Sequence, residues 1–154
     1  HPLIQHQNYH HSSTTQEFII NIAPARTFAF HQEVEFLWSR GLGLGGSLYN
    51  TVVFSESGLV NEEELRFPNE CVRHKVLDLI GDLSLLGFPV IGHFQAKRAG
   101  HLLHTKLVQA ILDNPDKWIL LHAGAHTQSQ VIKQATSTSD ILHLPELQTA
   151  FHPV

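Results

Sequence analysis

Between Asn69 and Leu86 the sequence carries its strongest helical repeat, and this stretch constrains the fold most tightly. Val76, Leu77, Leu79 and Ile80 supply an apolar stripe, and Gly87 followed by Pro89 supplies the stop. The rest of the chain has to offer that stripe a surface. Yet His74, Lys75, Asp78 and Asp82 are set among the same residues. His74, Asp78 and Asp82 are spaced i, i+4, i+8 and so share one helix face.

The flanking segments alternate in type. Glu17 to Ala23, EFIINIA, is a β-branched apolar run ended by Pro24 and reads as a strand. Thr27 to Phe30 reads as a short extended piece. From about His31 to Ser39, Val34, Leu37 and Trp38 recur at helical spacing, closed by Arg40-Gly41. Gly41, Gly43, Gly45 and Gly46 lead into a clear strand, Asn50 to Phe54. They fit no phosphate-binding pattern that opens a helix, so they read as a sharp turn. Ser55 to Glu64 is an acidic connection. Pro89 to Ala96 reads as a strand and Gly100 to Leu112 as an amphipathic helix stopped near Asn114-Pro115. Trp118 to His122 is a brief apolar segment, and Gln128 to Asp140 reads as mobile. The order predicts an α+β two-layer sandwich, a mostly antiparallel or mixed sheet packed on helices, rather than a doubly wound fold.

At 154 residues and 42% hydrophobic the chain has the size and composition of one soluble domain. A net charge of -4 argues against nucleic acid as a partner. No apolar run approaches the ~20 residues that span a bilayer. The opening HPLIQHQNYHH has no apolar leader core, and without an initiator Met the chain reads as processed or as part of something longer. The single cysteine, Cys71, excludes an internal disulfide framework and leans towards a reducing compartment. Of the 13 histidines, His6, His10, His11, His122, His126 and His152 fall in loops or termini and read as solvated.

His74 and Asp78 at i, i+4 can reach one metal ion, as paired ligands on zinc-binding helices do. Spacing alone favours the plainer reading, a surface His–Asp pair, because such pairs are common by chance. His101, after Gly100 at a strand-to-helix junction, suits proton transfer into a cleft, or is a capping-region or solvated histidine. His104 could join His101 as a rival metal site, ranked lower because it is expected on the outer helix face. Asp82 could accept an imidazole N–H and fix its tautomer, or be merely solvated. Lys75 and Arg98 suit a phosphate or carboxylate, or only solvent.

The segments IAPARTFAF, GGSLYNTVVF, LRFPNECVRHKVLDLIGDLSLLGFPVIGH and KRAGHLLHTKLV, in order from about His1 to Leu112, resemble the bacterial UDP-3-O-acyl-N-acetylglucosamine deacetylases. These cytoplasmic zinc amidases commit the cell to lipid A, and so to lipopolysaccharide, synthesis. The resemblance implies the second of two similar α+β domains, at 1–114, with 29–59 as an insert forming the acyl-chain passage. Residues 115–154 have no clear counterpart. It implies Zn2+ held by His74 and Asp78, with His101 as the catalytic histidine and Asp82 behind it. Thr27 would steady the oxyanion, Lys75, Phe28, Gly46 and Ser47 would contact substrate, and Arg98 would sit near the nucleotide diphosphate. The family's first domain supplies a third zinc ligand and the general base as a Glu-His pair, and no Glu-His dipeptide occurs in this sequence. The expected partners are therefore a UDP-3-O-acyl-glucosamine-type substrate and the N-terminal domain. Besides an enzyme half, a binding remnant that keeps the pocket and a purely structural domain stand as alternatives.

Overall fold

The computed structural model describes residues 2–121. The expectations for His122, His126, His152, the segment from Gln128 to Asp140 and most of the tail fall outside the described residues.

The core forms where a strand pair meets a helix. β1 (Thr27–Phe30) and β2 (Thr51–Phe54) pair in parallel, Thr27 opposite Thr51 and Phe30 opposite Phe54. α2 (His31–Ser39) lies in the crossover between them, as parallel pairing requires. β2 is β-branched, and Val52 and Phe54 join Cys71 in the buried cluster. Each such side chain taken from water contributes about 1.5–3 kcal/mol. Phe28, Phe30, Leu59, Leu65 and the N-terminal Ile4 pack around that cluster. Asn61 guards β2, donating to the carbonyls of Leu48 and Thr51 at 2.7 Å and accepting the Val53 N–H at 2.8 Å.

α3 (Glu70–Leu83) packs on this unit and runs into a tighter turn, Ser84–Leu86, which ends at Gly87 with φ +79°. The repeat and its stop are where the sequence put them. α4 (His101–Asp113) packs on α3. Among the described residues no helix is long and apolar enough to cross a membrane.

Three expectations need correction. The stretch EFIINIA is helical, with α1 (Thr15–Glu17) continuing as a π-helical turn, Phe18–Ile22. Thr14 Oγ1 caps it at the Glu17 N–H, and Asn21 donates to Glu17 at 2.8 Å, an i, i+4 pair. Ile22 is buried while Ile19 and Ile20 are exposed, which is one-sided rather than alternating burial. Pro89 to Ala96 forms no strand: no described strand lies beside it, and Ile91 points into solvent. The mixed α and β composition holds; where a mostly antiparallel or mixed sheet was expected, the two described strands pair in parallel, with one antiparallel bridge from Phe54 to Leu59.

Candidate active site

A buried ion pair ties the start of β1 to the start of α3. Glu70 is fully buried and accepts Arg26 Nε at 2.9 Å, Arg26 Nη2 at 3.2 Å and the backbone N–H groups of Arg26 and Arg66 at 2.9 and 2.8 Å. Burial opposes ionisation of Glu70, but these donors outweigh it and hold its carboxyl below the usual range. The clip brings the Ala25 carbonyl against the next turn of α3, where His74 Nδ1 lies 3.1 Å from it. A carbonyl only accepts, so Nδ1 carries the proton and Nε2 faces Asp78.

His74 Nε2 lies 3.2 Å from Asp78 Oδ1, and Lys75 Nζ donates to Asp78 Oδ2 at 3.0 Å. His101 Nε2 approaches the same Oδ1 at 3.9 Å from α4. Burial works against the charge on Asp78, but the hydrogen bonds from His74 and Lys75 overcome it and hold the carboxyl well below the carboxylate range. The bond to Asp78 raises the pKa of His74 over the opposing effect of burial. His74, Asp78 and His101 thus converge on one point, as the helix-face spacing and the glycine-led junction allowed.

His101 Nδ1 donates to Asp82 Oδ2 at 2.7 Å, the imidazole-fixing bond considered for Asp82 from its spacing. His104 Nδ1 donates to the same oxygen, also at 2.7 Å, and its side chain is only 3% exposed. The outer-face expectation for His104 is overturned: positions i and i+3 share a face, so a helix that turns His101 towards α3 turns His104 there too. Burial again opposes the Asp82 charge, and the bonds from His101 and His104 outweigh it, lowering its pKa.

The donors fit zinc at His74 and Asp78. One imidazole nitrogen is fixed on a backbone carbonyl, leaving the other to ligate, and the facing carboxylate is ionised. A cation there would replace the second proton that a charged His74 carries on Nε2 against Asp78. Asp82, His101 and His104 form a second group whose ligand atoms lie within 4.8 Å of one another. There both imidazoles already spend their Nδ1 protons on Asp82, so that group is complete as a hydrogen-bonded triad. Burial lifts the Cys71 thiol to about 11, which leaves it an inert core group.

The remaining expected residues stand apart. Thr27 opens β1 with its side chain exposed, and Gly46 and Ser47 shape the turn into β2, where Asn50 accepts the Ser47 N–H at 2.8 Å. Arg98 is exposed at φ +53°. Among the described residues no side-chain hydrogen bond or ion pair joins Thr27, Ser47 or Arg98 to the His74 cluster. Phe28 lies under Lys75, whose Nζ is 5.8 Å from the ring centroid. A cleft of about 1660 Å³ runs past Phe28, Lys75, Val76, Leu79, Arg98 and His104, and none of residues 29–59 lines it.

The family model for UDP-3-O-acyl N-acetylglycosamine deacetylase matches residues 1–113. A UDP-3-O-acyl-N-acetylglucosamine deacetylase of Syntrophotalea carbinolica is 50% identical over 124 residues, covering 80% of this chain and 40% of the relative. The Syntrophus aciditrophicus protein of that name is 48% identical, covering 77% of this chain and 38% of the relative. The one from Haemophilus influenzae is 46% identical, covering 73% and 37%. The chain thus spans about two fifths of the length of the relatives it matches.

Proposed function

The chain belongs to the UDP-3-O-acyl N-acetylglycosamine deacetylase family, and from that premise we propose that it supplies the C-terminal half of a zinc-dependent deacetylase site for UDP-3-O-acyl-N-acetylglucosamine. This is the committed step of lipid A synthesis, carried out in the cytoplasm. The observation that carries the reading is the approach of His74 Nε2 and His101 Nε2 to one oxygen of Asp78, at 3.2 and 3.9 Å.

His74 and Asp78 would hold the metal. Zinc, when bound, lowers the pKa of water and polarises an amide carbonyl. His101 keeps one proton on Nδ1 against Asp82 and works through Nε2, protonating the leaving amine or supporting the developing oxyanion. Thr27 adds a hydroxyl donor to that oxyanion. Lys75 leaves Asp78 to contact substrate, Arg98 faces the diphosphate, and Phe28, Gly46 and Ser47 border the sugar and acyl chain. Residues 29–59 form the acyl passage, a reading supported by the exposed Phe36, Trp38, Leu42 and Leu44. In the longer protein further strands complete the two-layer sandwich.

A catalytic zinc takes three protein ligands. We assign the third, with the general base, to a Glu-His pair outside these residues, since the sequence contains no such dipeptide. The same fact supports the second reading, a remnant that binds the acyl or nucleotide sugar without turnover.

The test is to load the 154-residue chain with zinc and assay acetate release from the UDP-sugar, with and without an N-terminal half from a relative. The expected result is little release alone, recovery on adding that half, and loss with His74→Ala. Full turnover by the chain alone would overturn the split site. No turnover in either case would favour the binding remnant.

A further inference from the structure

We propose that His104 is a positioning residue for His101, acting through the Asp82 carboxylate that the two share. The proposal rests on the deacetylase reading for the role of His101 but not for the geometry. His101 has a side chain 67% exposed, so on its own it would lose little by swinging into water. His104 is 3% exposed and cannot swing. Both rings give Nδ1–H to the same oxygen of Asp82, at 2.7 Å each. Their centroids lie 6.2 Å apart, edge to face.

An oxygen of a carboxylate offers two lone pairs, and here both are taken. Rotation of the Asp82 carboxylate would leave the buried His104 donor without a partner, which is the costly outcome for a desolvated N–H. His104 therefore locks Asp82, and the locked oxygen presents the exposed His101 with a single direction of bonding. Order passes from the core of α4, through α3, to the ring that faces His74 and Asp78. Second-sphere partners of this kind set tautomer and ring orientation.

The experiment is long-range proton–nitrogen NMR of the histidine rings in the 15N-labelled 154-residue chain at pH about 8.5, some two units above the ordinary imidazole value. In the unmodified chain both His101 and His104 should show the Nδ1–H tautomer. His104→Ala should return His101 to a mixture of tautomers. His104→Asn, whose side-chain amide can donate to Asp82, should restore the single form. Identical His101 ring signals in the unmodified chain and a folded H104A would overturn the proposal. A His104 ring protonated at Nε2 in the unmodified chain would overturn it too, and needs no variant to fold. The readout involves no turnover, so absent acetate release even after an N-terminal half is added, with these spectra as expected, would sink the deacetylase reading alone.

Discussion

At the scale of single residues, two carboxylates on α3 do different work. Glu70 is structural. Removing it as Glu70→Ala leaves the guanidinium of Arg26, a residue 4% exposed, with only the Glu64 carbonyl at 2.9 Å and the exposed Glu63 carboxylate at 3.5 Å. The expected loss is about 3–5 kcal/mol, read from urea unfolding. Because the folded carboxyl titrates below its ordinary 4.5, its contribution is complete above that value and is lost as pH falls through the folded value. Glu70→Gln should accordingly lower stability at neutral pH and flatten the acid limb of the stability curve. Asp78, by contrast, faces donors that a cation can replace. Under the proposed function, His74→Ala should weaken zinc binding by more than the roughly 10–100-fold typical of an outer-sphere change, measured by chelator competition. Since Asp78 raises the pKa of His74 above 6.5, zinc meets a competing proton at higher pH than usual. Apparent zinc affinity should fall as pH drops towards 6.5 and below.

At the scale of elements, the termination of α3 depends on one backbone conformation. Gly87 adopts φ +79°, and a Cβ added there would meet nothing within 4 Å. Any cost of substitution is therefore conformational. Gly87→Ala should lose about 1–2 kcal/mol, seen as a reduced melting temperature, and Gly87→Asn less, because Asn tolerates the left-handed region better. α2, α3 and α4 were legible because each combines a helical repeat with a stop. EFIINIA hides its helix in the sequence because a short β-branched run carries no period of its own. A capping Thr14 and the Glu17–Asn21 pair decided for the helix. Pro89 to Ala96 has the composition of a strand but no described neighbour to pair with.

At the scale of the whole molecule, two apolar surfaces compete as the seat of a fatty-acyl chain. One is the insert at 29–59, whose Phe36, Trp38 and Leu44 are exposed. The other is the cleft of about 1660 Å³ past Val76 and Leu79, to which that insert contributes no lining. Under the proposed function, a fatty-acyl ligand should protect the amides of 29–59 from hydrogen exchange. Protection confined to Val72–Leu83 would move the acyl passage into the cleft.

The sequence alone determined the long helix, the alignment of His74, Asp78 and Asp82 on one of its faces, and a histidine at the start of α4. These follow from periodicity, capping and stop residues, which are local. Only the tertiary structure decided that the Ala25 carbonyl orients His74, that Arg26 and Glu70 hold β1 against α3, and that His104 is buried on Asp82 rather than turned outward. Each of those contacts joins residues far apart in the chain. Their partners are chosen by which faces pack together, and no local pattern records that choice.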